Sequence, residues 1–219
     1  MEKPLEFLIR KPMVSIEKPP LLLLLHGVGS NEEDLFSLAS NLPDSFLIVS
    51  IRGPLVLGPK SFGWYEVLFT SGQPKINLEQ EKESRKLLLE FLDYLKFNHH
   101  YDESNVWTCG FSQGAIMSYS IGLLYPEKIK GIIALSGRLL EENKEMVKVT
   151  EELLTKKIFI SHGTKDRVLS VEYARSVKQY LESIGIRPHY KEYEEGHNIN
   201  REMLKDLIEW LDRELEKNY

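Results

Sequence analysis

The sequence predicts an α/β fold in which a mostly parallel sheet carries helices on both faces. Predicted strands and helices alternate about six times along the chain, as they do in sheets built from strand–helix–strand units. Residues 21–25 and several other predicted strands are unbroken apolar runs, which is typical of strands covered on both sides. Polar, glycine-containing loops follow these strands, and parallel sheets place their functional sites at the carboxyl ends of strands.

The length of 219 residues predicts a single domain over residues 1–219. The net charge of −5 and the lack of a long basic run argue against nucleic acid or an anionic membrane surface as the main partner. Residues 1–8 lack the apolar segment of a signal peptide, and no apolar run could span a bilayer. We therefore expect a cytoplasmic protein without stable membrane insertion. The single cysteine, Cys109, cannot form an internal disulfide, and we expect it to be buried.

The predicted strands share short apolar or alternating runs bounded by turn residues. They are residues 5–10, 13–16, 21–25, 46–51, 106–109, 131–136, 157–161 and 189–193. The first two predict an antiparallel hairpin at the amino-terminal edge of the sheet.

The predicted helices share an apolar face at helical spacing and begin at capping residues such as Asn31, Asn77 and Ser170. They end near residues 42, 95, 124, 154, 184 and 215. Residues 52–74, rich in glycine and proline, are the longest stretch that we expect to be irregular.

Residues 110–114 read Gly-Phe-Ser-Gln-Gly, which fits the G-x-S-x-G pattern of a sharp turn from strand to helix. In such a turn a side chain at either glycine would collide with the neighbouring strand or helix. An apolar strand precedes the motif, and a helix with several small residues follows it. This context predicts that Ser112 is a nucleophile.

A serine hydroxyl is a weak nucleophile at neutral pH, so it needs a base, and the base needs an orienting carboxylate. Asp166 and His197 each follow a predicted strand. The order Ser112, Asp166, His197 is that of the α/β-hydrolase fold, which we predict here without a cap domain. His162 is the main competitor as base, although we expect it to hydrogen-bond at the end of its strand.

The negative charge that develops on an acyl carbonyl oxygen needs backbone donors. We expect the N–H of Gln113, next to the nucleophile, to be one of them. The other should come from the glycine-rich turn at residues 26–29, where the N–H of Val28 is the best candidate. His26 itself is interpreted as a structural brace of that turn.

Three aromatic residues, Phe62, Trp64 and Tyr65, lie in the stretch that should reach the same edge of the sheet. Aromatic side chains usually belong to the core. Since the stretch borders the proposed site, lining of the acyl or leaving-group pocket is an equal alternative for Trp64 and Tyr65.

These motifs resemble those of the small carboxylesterase, phospholipase and acyl-protein thioesterase family of serine hydrolases. The matching segments extend over nearly the whole chain and are residues 24–29, 52–54, 64, 110–115, 134–137, 162–166 and 196–197. The resemblance implies the same three catalytic residues, the donors at Val28 and Gln113, and an enzyme without cofactor or metal that acts on small-molecule carboxylic esters or thioesters. Homodimers occur in the family, so the resemblance also allows a homodimer.

Two departures from the family concern the substrate. Ser30 stands where the family often has aspartate, and residues 55–74 differ from the version in eukaryotic thioesterases. We expect a serine carboxylesterase for small to medium acyl chains, because a chain of this length has little room for a cap domain. A thioesterase or a lysophospholipase is the alternative, and a non-catalytic binding protein of the same fold is a remote one.

Overall fold

Strands and helices alternate along the chain in the computed structural model, which describes residues 2–70 and 73–216. The strands are β1 (Phe7–Arg10), β2 (Leu21–Leu25), β3 (Leu47–Ile51), β4 (Leu55–Gly58), β5 (Ser61–Gly63), β6 (Val67–Thr70), β7 (Gln73–Ile76), β8 (Val106–Phe111), β9 (Gly131–Leu135), β10 (Lys157–Gly163) and β11 (His189–Tyr193). The helices are α1 (Glu32–Phe36), α2 (Leu78–Asn98), α3 (Gln113–Leu124), α4 (Glu141–Met146), α5 (Glu151–Leu154), α6 (Val171–Ser183) and α7 (Arg201–Glu216).

The main sheet has seven strands in the order β1-β3-β2-β8-β9-β10-β11. All neighbouring pairs are parallel except β1 and β3, which are antiparallel. The α/β prediction with an antiparallel amino-terminal edge is therefore confirmed. The predicted hairpin is wrong in one respect, because residues 13–16 form no strand and β1 instead pairs with β3.

Alternate side chains of the buried strands enter two different cores. In β2, Leu21, Leu23 and Leu25 pack towards α2, α3 and α6, whereas Leu22 and Leu24 pack towards α1 and α7. All five leucines are at most 1% exposed. Burial of a leucine side chain contributes about 1.5–3 kcal/mol, so the unbroken apolar run is explained by cover on both faces.

Two predicted helices are shorter than expected, and in each case the local sequence explains the break. Helix α1 ends at Phe36, where the Ser37 hydroxyl donates to the Asp34 carbonyl oxygen at 2.6 Å and competes with the helical hydrogen bonds. Residues 141–154 form α4 and α5 instead of one helix. The residues between them include Val147, Val149 and Thr150, whose branched side chains disfavour helix.

The stretch at residues 52–74 is more regular than predicted, although residues 71 and 72 lie outside the described residues. It contains two small antiparallel hairpins, β4–β5 and β6–β7. A bridge between Ser30 and Phe62 joins the first hairpin to the turn after β2. The hairpins are held by such distant contacts, which a reading of local sequence does not detect.

Across the described residues, no helix is both long and apolar enough to cross a membrane.

Candidate active site

The motif at residues 110–114 forms the sharp turn between β8 and α3. Ser112 has φ 53° and ψ −116°, a left-handed backbone conformation that is uncommon for a residue other than glycine. A Cβ on Gly110 would lie 2.1 Å from the Gly114 carbonyl oxygen, and one on Gly114 would lie 1.9 Å from the Leu25 carbonyl oxygen. Glycine is thus required at both positions because backbone atoms occupy the space of a side chain.

Ser112, His197 and Asp166 come together at the carboxyl ends of β8, β11 and β10. The His197 Nδ1 lies 2.6 Å from the Asp166 Oδ2, and the His197 Nε2 lies 2.9 Å from the Ser112 Oγ. Since a carboxylate can only accept, the proton is on Nδ1. The Nε2 lone pair then accepts from the Ser112 hydroxyl. The three side chains form one chain of hydrogen bonds in which each partner is oriented by the next.

The carboxylate of Asp166 is held by the backbone of its own loop. Its Oδ1 accepts from the N–H groups of Val168 at 2.8 Å and Leu169 at 2.9 Å, and its side chain is fully buried. A buried polar group needs such hydrogen-bond partners to offset its loss of water. The other oxygen, Oδ2, remains directed at His197.

His162 lies beside this carboxylate but does not reach the serine. Its Nε2 donates to the Leu169 carbonyl oxygen at 2.7 Å and lies 3.3 Å from the Asp166 Oδ2. Burial lowers the pKa of His162 from its ordinary value, so the ring is neutral at pH 7. His162 therefore hydrogen-bonds at the end of its strand, as the sequence predicted.

The turn after β2 is braced by His26, which is fully buried. The His26 Nε2 accepts from the Gly53 N–H at 2.9 Å, and its Nδ1 lies 2.7 Å from the Gly27 carbonyl oxygen. Burial is the main cause that lowers the pKa of His26. The N–H of Val28 in this turn has no acceptor among the described residues. Gln113 is the first residue of α3, so its N–H has no acceptor within the helix.

The side chain of Gln113 has a positioning role that the sequence did not reveal. Its Oε1 accepts from the Trp64 N–H at 2.8 Å, and its Nε2 donates to the Tyr65 carbonyl oxygen at 2.7 Å. The Trp64 indole N–H in turn donates to the His26 carbonyl oxygen at 2.9 Å. Trp64 therefore ties the turn after β2 to the start of α3. A glutamine next to the nucleophile was the only local signal of this arrangement.

An apolar cavity of about 470 Å³ opens over Ser112. Its walls include Val28, Leu57, Ile116 and Tyr65, and Arg138 also lines it. The volume is in the usual range for small-molecule sites. Arg138 was not identified from the sequence, since an arginine after a buried strand has no motif that marks it.

Trp64 and Phe62 do not line this cavity. Trp64 is 1% exposed and its indole N–H is used by the turn after β2. The Phe62 ring instead lies under the guanidinium of Arg52, 4.6 Å from its centroid. Of the three aromatic residues singled out in the sequence, only Tyr65 contributes to the cavity. Within the described part of the chain, no cluster of three His, Cys, Asp or Glu side chains is suited to a metal ion.

Comparison with curated proteins gives several relatives. Carboxylesterase SOBER1 of Arabidopsis thaliana is 33% identical over 112 residues, which are 51% of this chain and 49% of that protein. The chain spans about half the length of the first curated relatives it matches. Acyl-protein thioesterase 1 of Kluyveromyces lactis is 24% identical over 211 residues, which cover 89% of this chain and 92% of that protein.

Comparison with solved structures gives the same fold. The carboxylesterase of Bacillus cereus has a TM-score of 0.82 at 26% identity, with 95% of this chain and 94% of that chain covered. SOBER1 of Arabidopsis thaliana has a TM-score of 0.75 at 24% identity, with 90% and 99% covered. The phospholipase/carboxylesterase family model matches residues 13–215. With an α/β-hydrolase fold and a family match over nearly its whole length, the chain belongs to the phospholipase/carboxylesterase family.

Proposed function

We propose that this protein is a serine hydrolase that cleaves carboxylic esters of small to medium acyl chains through an acyl-enzyme on Ser112. The observation that carries the proposal is the continuous chain of hydrogen bonds from the Ser112 hydroxyl through His197 to the Asp166 carboxylate. The names of the curated relatives support the same class, since they include carboxylesterases and acyl-protein thioesterases.

In the proposed reaction the Ser112 Oγ attacks the acyl carbonyl carbon while His197 Nε2 takes the hydroxyl proton. Asp166 keeps the imidazole in the required tautomer and stabilises its charged form. The alcohol leaves with the proton from His197, which remains linked to Asp166. Water, deprotonated by the same imidazole, then attacks the acyl-enzyme and releases the acid and free Ser112.

The carbonyl oxygen becomes negatively charged at each attack, and the N–H groups of Val28 and Gln113 are its proposed donors. Loss of one such donor typically reduces the rate about 100- to 1000-fold. Neither group has an acceptor among the described residues, and Trp64 connects the two segments that carry them. The donors are therefore fixed before substrate binds.

The size and chemistry of the cavity support acyl chains of modest length. Its volume of about 470 Å³ and its largely apolar wall suit an alkyl or aromatic group. Residues 52–76, called the insertion below, border the cavity. In their described part they form small hairpins instead of a helical cap. We therefore expect activity on dissolved monomeric esters without a lipid interface.

A fluorophosphonate probe followed by peptide mapping tests the nucleophile. We expect one adduct, on Ser112, and no adduct and no hydrolysis in Ser112→Ala. The matched control is Ser118→Ala in α3, which removes a buried hydroxyl without a hydrogen-bond partner and should leave labelling unchanged. An adduct elsewhere, or an active Ser112→Ala protein, would overturn the proposal.

Nitrophenyl esters from acetyl to dodecanoyl test the acyl range. We expect the highest kcat/KM for short and medium chains at concentrations below micelle formation. Activity that begins only above the micelle threshold would contradict a site that acts on dissolved esters.

A thioesterase is the second candidate, favoured by the acyl-protein thioesterase from Kluyveromyces lactis, which matches along most of both chains. The two candidates share the acyl-enzyme and differ only in the leaving group. An oxygen ester and a thioester with the same acyl group separate them. A higher kcat/KM for the thioester, corrected for its greater intrinsic reactivity, would favour the thioesterase, and lysophospholipids test the third alternative in the same way.

A further inference from the structure

Arg138 places a cation in the wall of the otherwise apolar cavity. It follows β9, is half-buried, and lines the same cavity as Ser112. Its Nε is buried and has no hydrogen-bond partner. Its guanidinium carbon lies 5.2 Å from the centroid of the Tyr173 ring, a contact that supports the group from one side only.

No carboxylate forms an ion pair with Arg138 among the residues that the structure describes. Two acids of α4 lie near Arg138, of which Glu141 is paired with Lys144 at 3.2 Å and Glu142 is exposed to solvent. Glu66 also lines the cavity, but it is exposed to solvent and its charge is screened. Residues 68–74 contain no Asp or Glu. A partly buried guanidinium without a counter-ion is unusual, because burial of an unpaired charge is costly.

The Tyr65 hydroxyl is a second polar group near Arg138 without a partner among the described residues, and it is buried behind the cavity wall. Tyr65 is 1% exposed, lines the cavity, and its hydroxyl oxygen is buried and makes no hydrogen bond. Burial raises the pKa of Tyr65, and the positive charge of Arg138 acts against this rise. The hydroxyl therefore lies within the electrostatic field of the guanidinium. The guanidinium is therefore close to the part of the wall that Tyr65 forms, and no hydrogen-bond partner of either group lies among the described residues.

We propose that the guanidinium of Arg138 forms an anion subsite, so that the preferred substrates are esters that carry a carboxylate or a phosphate group. The inference rests on the proposed function, because it assigns a substrate class to the same cavity. A guanidinium offers paired N–H donors that match a carboxylate or phosphate. The apolar wall between Ser112 and Arg138 would hold a short hydrocarbon segment between the ester and the anion.

Matched substrate pairs test the subsite and separate its two anions. The carboxylate pairs are the monoethyl and diethyl esters of succinic, adipic and suberic acids. The phosphate pair is a short-chain monoacylglycerol and the corresponding monoacylglycerol phosphate. We expect the wild-type protein to favour the anionic member of at least one pair by about 10-fold or more in kcat/KM, and the arm that responds identifies the anion.

Variants of Arg138 should weaken or remove this preference. Hydrogen bonds to a charged group are strong enough that Arg138→Gln should reduce kcat/KM for the anionic ester about 10- to 100-fold. Arg138→Lys should retain part of the preference, because it keeps the charge but loses the paired donors. The control is Arg187→Gln. Arg187 is exposed and precedes β11, at the end of the strands opposite to Ser112, so this variant should retain the wild-type preference.

The ratio of kcat/KM for the anionic ester to kcat/KM for the neutral ester decides the outcome. Ser112 labelling is an independent check of the proposed function. If Ser112 is not labelled and no ester is hydrolysed, the hydrolase proposal fails. If Ser112 is labelled and neutral esters are hydrolysed, but no anionic ester is preferred, the anion subsite alone is overturned. A preference that survives in Arg138→Gln overturns it as well. Loss of the preference in Arg138→Gln, but not in Arg187→Gln, supports it.

Discussion

The sheet edge that carries Ser112, Asp166 and His197 differs in construction from the insertion at residues 52–76. Each of these three residues lies within a few positions after a strand of the main sheet. The backbone hydrogen bonds between the strands therefore determine its position. The insertion has no strand in that sheet. It is positioned by contacts to distant segments, such as the bridge from Ser30 to Phe62 and the hydrogen bond from Trp64 to the Gln113 side chain.

The groups proposed to react and the residues that would select the substrate therefore lie in different regions. The sheet edge holds the groups that would make and break bonds, and its geometry depends on backbone turns that tolerate few side chains. The insertion contributes much of the cavity wall, through Leu57, Tyr65, Val67 and Ile76. A change at the sheet edge should therefore affect every substrate, whereas a change in the wall should alter which substrate is preferred.

The largest expected effect follows from the removal of the negative charge at the sheet edge. Asp166→Asn should reduce kcat about 1,000- to 10,000-fold, because an amide can donate to His197 Nδ1 and favour the wrong tautomer. Stopped-flow or steady-state assays with one neutral ester measure the loss. Ser112 labelling should fall with it, whereas the unfolding midpoint should change far less. Near-wild-type kcat would show that the carboxylate does not orient the histidine.

A methyl group at the turn between β8 and α3 should have the next largest effect. Gly114→Ala places a Cβ 1.9 Å from the Leu25 carbonyl oxygen, and we expect a loss of about 3–5 kcal/mol in the free energy of unfolding. Gly58→Ala in the insertion is the matched control, since its Cβ would lie 3.8 Å from Ser61 in ordinary contact. Urea unfolding of both variants measures the contrast. Equal stability of the two proteins would mean that the turn can relax.

The contact between the two regions is tested by Trp64→Phe. The variant leaves the His26 carbonyl oxygen without its indole donor, which should cost about 1–3 kcal/mol in stability and also lower kcat. Trp210→Phe removes an indole from the opposite face of the sheet, where it packs on Phe159. That control should lose stability with unchanged kcat. If both variants keep their kcat, Trp64 does not position the donors.

The smallest expected effect is a pH dependence of stability that arises from buried histidines. Burial lowers the pKa of both His26 and His162 below the ordinary value, so the unfolded chain binds protons more readily. Stability should be full above about pH 7 and should fall as the pH is lowered, by at most about 1.4 kcal/mol for each histidine at about pH 5.5.

Urea unfolding at about pH 7.5 and pH 5.5 measures this fall. His162→Gln should show a smaller decrease than the wild type. His100→Gln, at an exposed position after α2, should show the wild-type decrease. A rise in stability at the lower pH would contradict the neutral, buried state of these rings.

Features that depend on local sequence patterns could be predicted, whereas features that depend on distant contacts could not. Apolar runs, caps and the glycine turn are local, so the strands of the main sheet, the start of α2 after Asn77 and the position of Ser112 could be assigned before the structure. Because both His162 and His197 follow strands, the choice of His197 as the base was only an expectation from the sequence. The cytoplasmic location and the homodimer remain predictions.

The missed features depend on contacts between segments far apart in sequence. Trp64 looked as likely to line a pocket as to fill the core, and only its bond to the His26 carbonyl oxygen shows where it lies. The first hairpin of residues 52–76, β4–β5, is joined to the turn after β2 by the bridge from Ser30 to Phe62. Arg138 and the Tyr65 hydroxyl drew no attention because a missing partner has no sequence pattern.

The hydrogen bonds of Gln113 and Trp64 affect which positions in the cavity wall can mutate during evolution. They hold the inner end of the insertion against the turn after β2, while Leu57, Val67 and Ile76 contact the cavity through apolar side chains. Replacements at these three positions therefore leave the anchoring bonds in place. New substrate preferences can accumulate there by single mutations without loss of the reaction, which also makes them the natural positions for a directed-evolution library.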